Sequence, residues 1–103
     1  MKYVVSMTFR LNGSATENEA AQRRILDLYS KWTPPASTTF HQFVGRCDGG
    51  GVFSVVETDN PMDLADVTSK FGAYVEYQIH PVVDIVDSVR VAQEGVKFRE
   101  SIS

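Results

Sequence analysis

The chain has one cysteine, Cys47, among 103 residues. No intramolecular disulfide can form, and no CxxC pair or Cys/His cluster offers a zinc site. A lone thiol suits a reducing compartment, and neither a metal nor any other cofactor is expected. Basic clusters are also missing. The ten Lys and Arg are scattered, only Arg23 and Arg24 are adjacent, and the formal net charge is −3. That pattern lacks the electrostatic footprint of a nucleic-acid binder, and so mild an acidity mainly supports solubility. Long apolar runs are absent too. The run Tyr3–Val5 is broken by Ser6, too short for a signal segment and far too short for a membrane span. A soluble cytoplasmic protein without a membrane or nucleic-acid partner is the expectation. The run Gly49-Gly50-Gly51 has no GK[ST] after it and no helix starts there, so it is no phosphate loop. No Gly-x-Ser-x-Gly elbow occurs.

What is present is ordinary globular material, 43% hydrophobic and 22% charged. A chain of this size buries roughly 60–65% of its unfolded surface, enough for one domain spanning residues 1–103. Residues 2–9, KYVVSMTF, alternate Tyr3, Val5, Met7 and Phe9 with Val4, Ser6 and Thr8, as a strand requires. Ser14 followed by Glu17 forms a capping box, and Ala21, Ile25, Leu28, Tyr29 and Trp32 fall on one face of the helix it opens. Thr33-Pro34-Pro35 ends that helix. Residues 38–46 and 51–57 read as strands joined at Asp48-Gly49, a hairpin dipeptide whose central positions favour positive φ. This register sets Val44 opposite Phe53, Phe43 opposite Ser54 and His41 opposite Val56.

Asn60 caps a second helix, with Pro61 at its first position and Asp63 in its first turn. Its inner stripe is Leu64, Val67, Thr68 and Phe71. Residues 74–83 alternate again, with Pro81 marking an edge or a strand end. A last helix, capped by Asp84 or Asp87, carries Val91, Phe98 and Ile102 on one stripe, with Val89, Ala92 and Val96 beside it.

The order βαββαβ plus a terminal helix predicts an α+β, ferredoxin-like fold: four antiparallel strands with two helices on one face. Alternation assigns Tyr3, Val5, Met7, Phe53, Val55, Val75, Tyr77 and Ile79 to the helix side. It assigns Val4, Ser6, Thr8, Thr39, His41, Phe43, Val52, Ser54, Val56, Glu76, Gln78 and His80 to the other. That second face is too apolar for open water and too polar for a dry core. Either the last helix folds over it, or a second copy covers it and makes a homodimer with a polar-lined cavity.

The run MKYVVSMTFR, the helix ending SKWTPP, then TFHQFVGR before the Asp-Gly turn, and VETDNP resemble a small bacterial family known only as a domain of unknown function. The resemblance covers nearly the whole chain. The family's layout is similar to the dimeric α+β barrel superfamily. That superfamily includes antibiotic-biosynthesis-type monooxygenases, haem-degrading monooxygenases, muconolactone isomerases and stress-responsive barrel proteins. The resemblance implies a fold and dimerisation more than a chemistry. Haem-degrading members carry an asparagine on the first strand, a tryptophan near the second helix and a haem-ligating histidine. Here Lys2–Phe9 holds no asparagine and the single tryptophan, Trp32, closes the first helix, so those roles are not carried over.

Two functions from different classes follow. The first is a small-molecule-binding dimeric barrel, monooxygenase- or isomerase-like. His41 is its acid/base candidate, because an imidazole titrates near neutrality, and Phe43, Ser54, Glu76, Gln78 and His80 are its ligand-binding candidates. A hydrogen-bonded interface histidine is the plainer reading of His41. Glu76 and His80, four residues apart on one strand face, stand about 13 Å apart and form no dyad by themselves. The second function is a non-catalytic homodimeric interaction or regulatory module working through the last helix.

Overall fold

A computed structural model describes residues 1–102. The elements run β1 (Lys2–Phe9), α1 (Ala15–Lys31), β2 (Thr39–Gly45), β3 (Gly51–Glu57), α2 (Met62–Phe71), β4 (Val75–Val82) and α3 (Ile85–Ser101). The strands form one sheet in the order β2-β3-β1-β4, and every neighbouring pair is antiparallel. This is the ferredoxin-like α+β arrangement with an added C-terminal helix.

Local signals act where they were expected. Ser14 accepts from the Glu17 N–H while Glu17 reaches back to the Ser14 N–H, closing the capping box of α1. Asn60 Oδ1 accepts the Met62 N–H at 3.1 Å, so it still satisfies a free donor although α2 begins at Met62. In the β2–β3 hairpin only Gly49 takes a positive φ, 76°, and no non-glycine residue does. Asp48 therefore stays out of the left-handed region. The turn closes through Gly49 N–H to Arg46 O and Arg46 N–H to Gly51 O, a four-residue loop instead of a two-residue one. Gly51 has a different constraint: a Cβ there would lie 2.0 Å from the Met7 carbonyl oxygen, so β3 approaches β1 only because the side chain is missing.

Two expectations about faces are corrected. Val5 stands opposite Ser54 and Met7 opposite Val52. Opposed residues of an antiparallel pair share a face, so Val52, Ser54 and Val56 turn toward the helices while Phe53 and Val55 turn away. The alternation within VFSVV could not settle this, because it offers apolar side chains to both faces. The second correction concerns β2. The predicted register holds from Gln42 opposite Val55 to Val44 opposite Phe53, then shifts between Phe40 and Gln42, leaving Phe40 opposite Val56 and His41 without a partner. His41 is the extra residue of a β-bulge. As a result Phe40 and Phe43 lie on the same side, stacked with ring centroids 5.5 Å apart.

The core is Val5, Met7, Val56, Phe71 and Val75, with Leu28, Trp32, Leu64 and Val67 packed around it. The Tyr77 hydroxyl donates to the Val67 carbonyl at 3.1 Å, and burial pushes its pKa up to about 12. α3 belongs to none of this. It buries no residue, and the fold extends over 60 × 32 × 21 Å with a radius of gyration of 18.0 Å. A compact chain of this length has about 13 Å. Lys2 Nζ, 3.1 Å from Asp84 Oδ1, ties the start of α3 to β1. Among the described residues, no helix is long and apolar enough to cross a membrane.

Candidate functional site

The helix-covered side of the sheet holds a cavity of about 350 Å³ between α1, α2 and strands β1–β3. Its floor is Val5, Met7, Val52, Ser54 and Val56, and its helical wall includes Ile25, Trp32, Leu64 and Phe71. β2 contributes Phe40 and Phe43. The rings meet edge to face: Trp32 and Phe40 at 6.2 Å, Trp32 and Phe71 at 5.4 Å, Tyr29 and Phe43 at 6.1 Å. Such contacts favour fixed ring orientations. The volume falls at the lower end of ligand pockets, roughly 300–1,000 Å³. Leu26, Tyr29 and Phe43 line it too and are exposed, so the mouth between α1 and the edge strand β2 is largely apolar.

Ser54 is the polar exception on the floor. It is 2% exposed, and its hydroxyl makes no hydrogen bond among the described residues, yet no fully occluded polar side-chain atom lacks a partner. The hydroxyl therefore opens onto the cavity. The less exposed polar wall groups beside it are occupied. Trp32 Nε1 donates to Asp66 at 3.3 Å. Asp63 is 6% exposed, and its Oδ2 accepts from Thr58, Ser37 and Thr38 at 2.6, 2.7 and 2.8 Å. These three hydroxyls hold the Asp63 carboxyl below the usual carboxylate range, Thr58 contributing most. The cluster pins the start of β2 and the end of β3 to the first turn of α2.

The opposite face of the sheet is a different environment. His41 lies there, with Nε2 2.7 Å from Glu57 Oε1 and both side chains more than two-fifths exposed. The hydrogen bond from His41 lowers the Glu57 pKa, with smaller contributions from the charges of His41 and Lys2. Glu76, Gln78 and His80 follow one another along β4 opposite Thr8, Ser6 and Val4, all three exposed. β2 and β4 are the two edges of the sheet, about 14 Å apart at the usual strand spacing, so His41 and His80 do not meet within one chain.

Of the six residues singled out from the sequence, Phe43 and Ser54 thus come together in the cavity. His41, Glu76, Gln78 and His80 share the open face. Trp32, Phe40 and Phe71, read from the sequence as core or strand, turn out to be cavity walls. Their helical or strand spacing signals burial but not the gap between layers. Asp63 was legible only as a favourable charge in a first turn; its hydroxyl partners come from three separate places in the chain. No group of three or more His, Cys, Asp or Glu side chains among the described residues could hold a metal ion.

Fold and cavity together define a ferredoxin-like α+β domain with a mostly apolar cavity on its helical side. The chain belongs to the family described as domain of unknown function (DUF3303), whose model matches residues 1–96. No curated protein matches it.

Proposed function

We propose that this domain binds a small apolar molecule in the cavity between its helices and its sheet, and that it works as a homodimer. One observation carries the binding reading: a ring-lined space of about 350 Å³ with a buried, unpaired Ser54 hydroxyl on its floor. An apolar molecule that covered this hydroxyl without pairing it would incur roughly 1–3 kcal/mol, a cost that a hydrogen-bonding ligand avoids. The cavity supports binding better than acid/base catalysis, because its carboxylate, Asp63, already accepts three hydroxyls. The test is a neutral fluorescent probe such as N-phenyl-1-naphthylamine. Ser54→Leu, which places a larger apolar side chain in the space, is expected to weaken probe binding at least about tenfold with the far-UV spectrum unchanged. His80→Ala, on the other face, is expected to leave it unaltered. Equal probe affinity in wild type and Ser54→Leu would refute the cavity as the site.

Dimerisation is supported by the open face, where Phe53 and Val44 are exposed beside Val4 and Val55. Two such faces meeting would enclose the His41–Glu57 pair, which is where an isomerase- or monooxygenase-like acid/base role of His41 would belong. The reading of the domain as an interaction module has its own observation: α3 exposes Val86, Val89, Val91 and Phe98, and Ile102 just after it is exposed too. Sedimentation separates the two interfaces. Phe53→Glu is expected to give monomers if sheets pair, whereas removal of residues 84–103 does so if α3 is the contact.

A further inference from the structure

Resting on the cavity reading above, we infer that the ligand is an uncharged molecule with a flat or bulky apolar body and one hydrogen-bonding atom, which Ser54 Oγ receives. Charge sets the first limit. Among the described residues no Lys, Arg or His lines the cavity, and the single charged wall residue is Asp63, whose carboxyl three hydroxyls hold below the usual carboxylate range. An anion entering this space would shed its hydration, find no cation in exchange and meet a carboxylate. Uncompensated burial of a charge is among the most costly events in a protein interior. A cation has Asp63 as its sole counter-charge, and one oxygen of that carboxylate, Oδ2, is already taken by three hydroxyl donors. A single half-committed carboxylate offsets only part of the hydration the cation loses.

The polar capacity of the wall then limits the ligand further. Thr38 and Trp32 have both committed their donors to aspartates. Ser54 alone among the buried wall residues has a free hydroxyl, and a hydroxyl both donates and accepts. One hydrogen-bonding atom on the ligand satisfies it, and a second would find no other uncommitted side-chain donor on the buried wall. The rings of Trp32, Phe40, Phe43 and Phe71, held edge to face or stacked, present the surfaces on which a flat body rests.

Four probes with one ring system test this on the full chain by calorimetry: naphthalene, 1-naphthol, 1-naphthoate and the 1-naphthylmethylammonium cation. The expected result is that 1-naphthol binds roughly fivefold tighter than naphthalene, the gain of one net hydrogen bond. Both ions should bind at least about thirtyfold more weakly than 1-naphthol. Ser54→Ala should erase the preference for 1-naphthol while leaving naphthalene within about twofold. Naphthalene and 1-naphthol binding equally to the wild type, or an ion binding as tightly as 1-naphthol, overturns the inference but leaves the cavity standing as a site. Failure of all four probes to bind overturns the cavity reading itself.

Discussion

The two faces of the sheet use polar residues in opposite ways. On the helix side, polarity is rare: Asp63 is buried and accepts three hydroxyls, and Ser54 is the one polar side chain on an apolar floor. On the open side it is abundant and solvated. His41, Glu57, Glu76, Gln78 and His80 are all exposed, and the one tight contact among them is His41 to Glu57. The difference teaches where selectivity can reside. A single hydroxyl among apolar walls discriminates strongly, because a ligand that covers it without a partner leaves it unpaired. A surface ion pair discriminates weakly, because water replaces either partner.

The largest effect that would sharpen this contrast is in the core beneath the cavity. Phe71→Ala is expected to lose about 3–5 kcal/mol in urea denaturation, since Phe71 is buried and packs edge to face on Trp32. A loss under about 1 kcal/mol would mean that the helical side is as loosely held as the open one. Next comes acid stability. The Asp63 pKa is lowered in the fold, so its contribution is present above the ordinary carboxylate range and is lost as pH falls through the folded value. Asp63→Asn should flatten the decline of the urea midpoint between about pH 5 and about pH 3. Glu57 has the same sign, its pKa being lowered by His41, but its partner is solvent-exposed. Glu57→Gln is therefore expected to flatten that decline less than Asp63→Asn does; a larger effect from Glu57 would reverse the ranking of the two faces. The smallest change is expected from His41→Ala, within about 3 °C of the wild-type melting temperature at low protein concentration. A melting temperature that drops further, and more so as the protein is concentrated, would place His41 in a subunit interface.

Much of this architecture is legible in the residues themselves, and the pattern of what is not has a physical cause. The capping box at Ser14 and Glu17 and the prolines after Trp32 act within a few positions of themselves and lie where their chemistry predicts, and the start of α2 falls one residue later than Asn60 and Pro61 suggest. The face of β3 depends on which residue of β1 it meets, a matter of tertiary pairing. VFSVV satisfies either choice, so Ser54 could be named as a binding candidate while its side of the sheet was mistaken. The bulge is equally silent, because nothing in TFHQF states that one residue will lack a partner. Strict alternation separates Phe40 from Phe43; the bulge reunites them as one wall of the cavity. The cavity itself is a property of layer spacing. Trp32 and Phe71 look the same in sequence whether the space beside them is filled or empty.

The bulge also has a consequence for how this surface can change. Phe40 pairs with Val56 and Gln42 with Val55, and those two partners are adjacent in the chain. Removing the codon for His41 would therefore leave a regular ladder, with Phe40 and Phe43 brought to the spacing that their pairing partners already specify. Every other cross-strand pair would stay as it is. An imidazole on the solvent side of the sheet can thus be gained or lost by a single in-frame insertion or deletion, without repacking the interior. The two sides of one strand are separable units of variation: one answerable to the cavity, the other to whatever meets the sheet from outside.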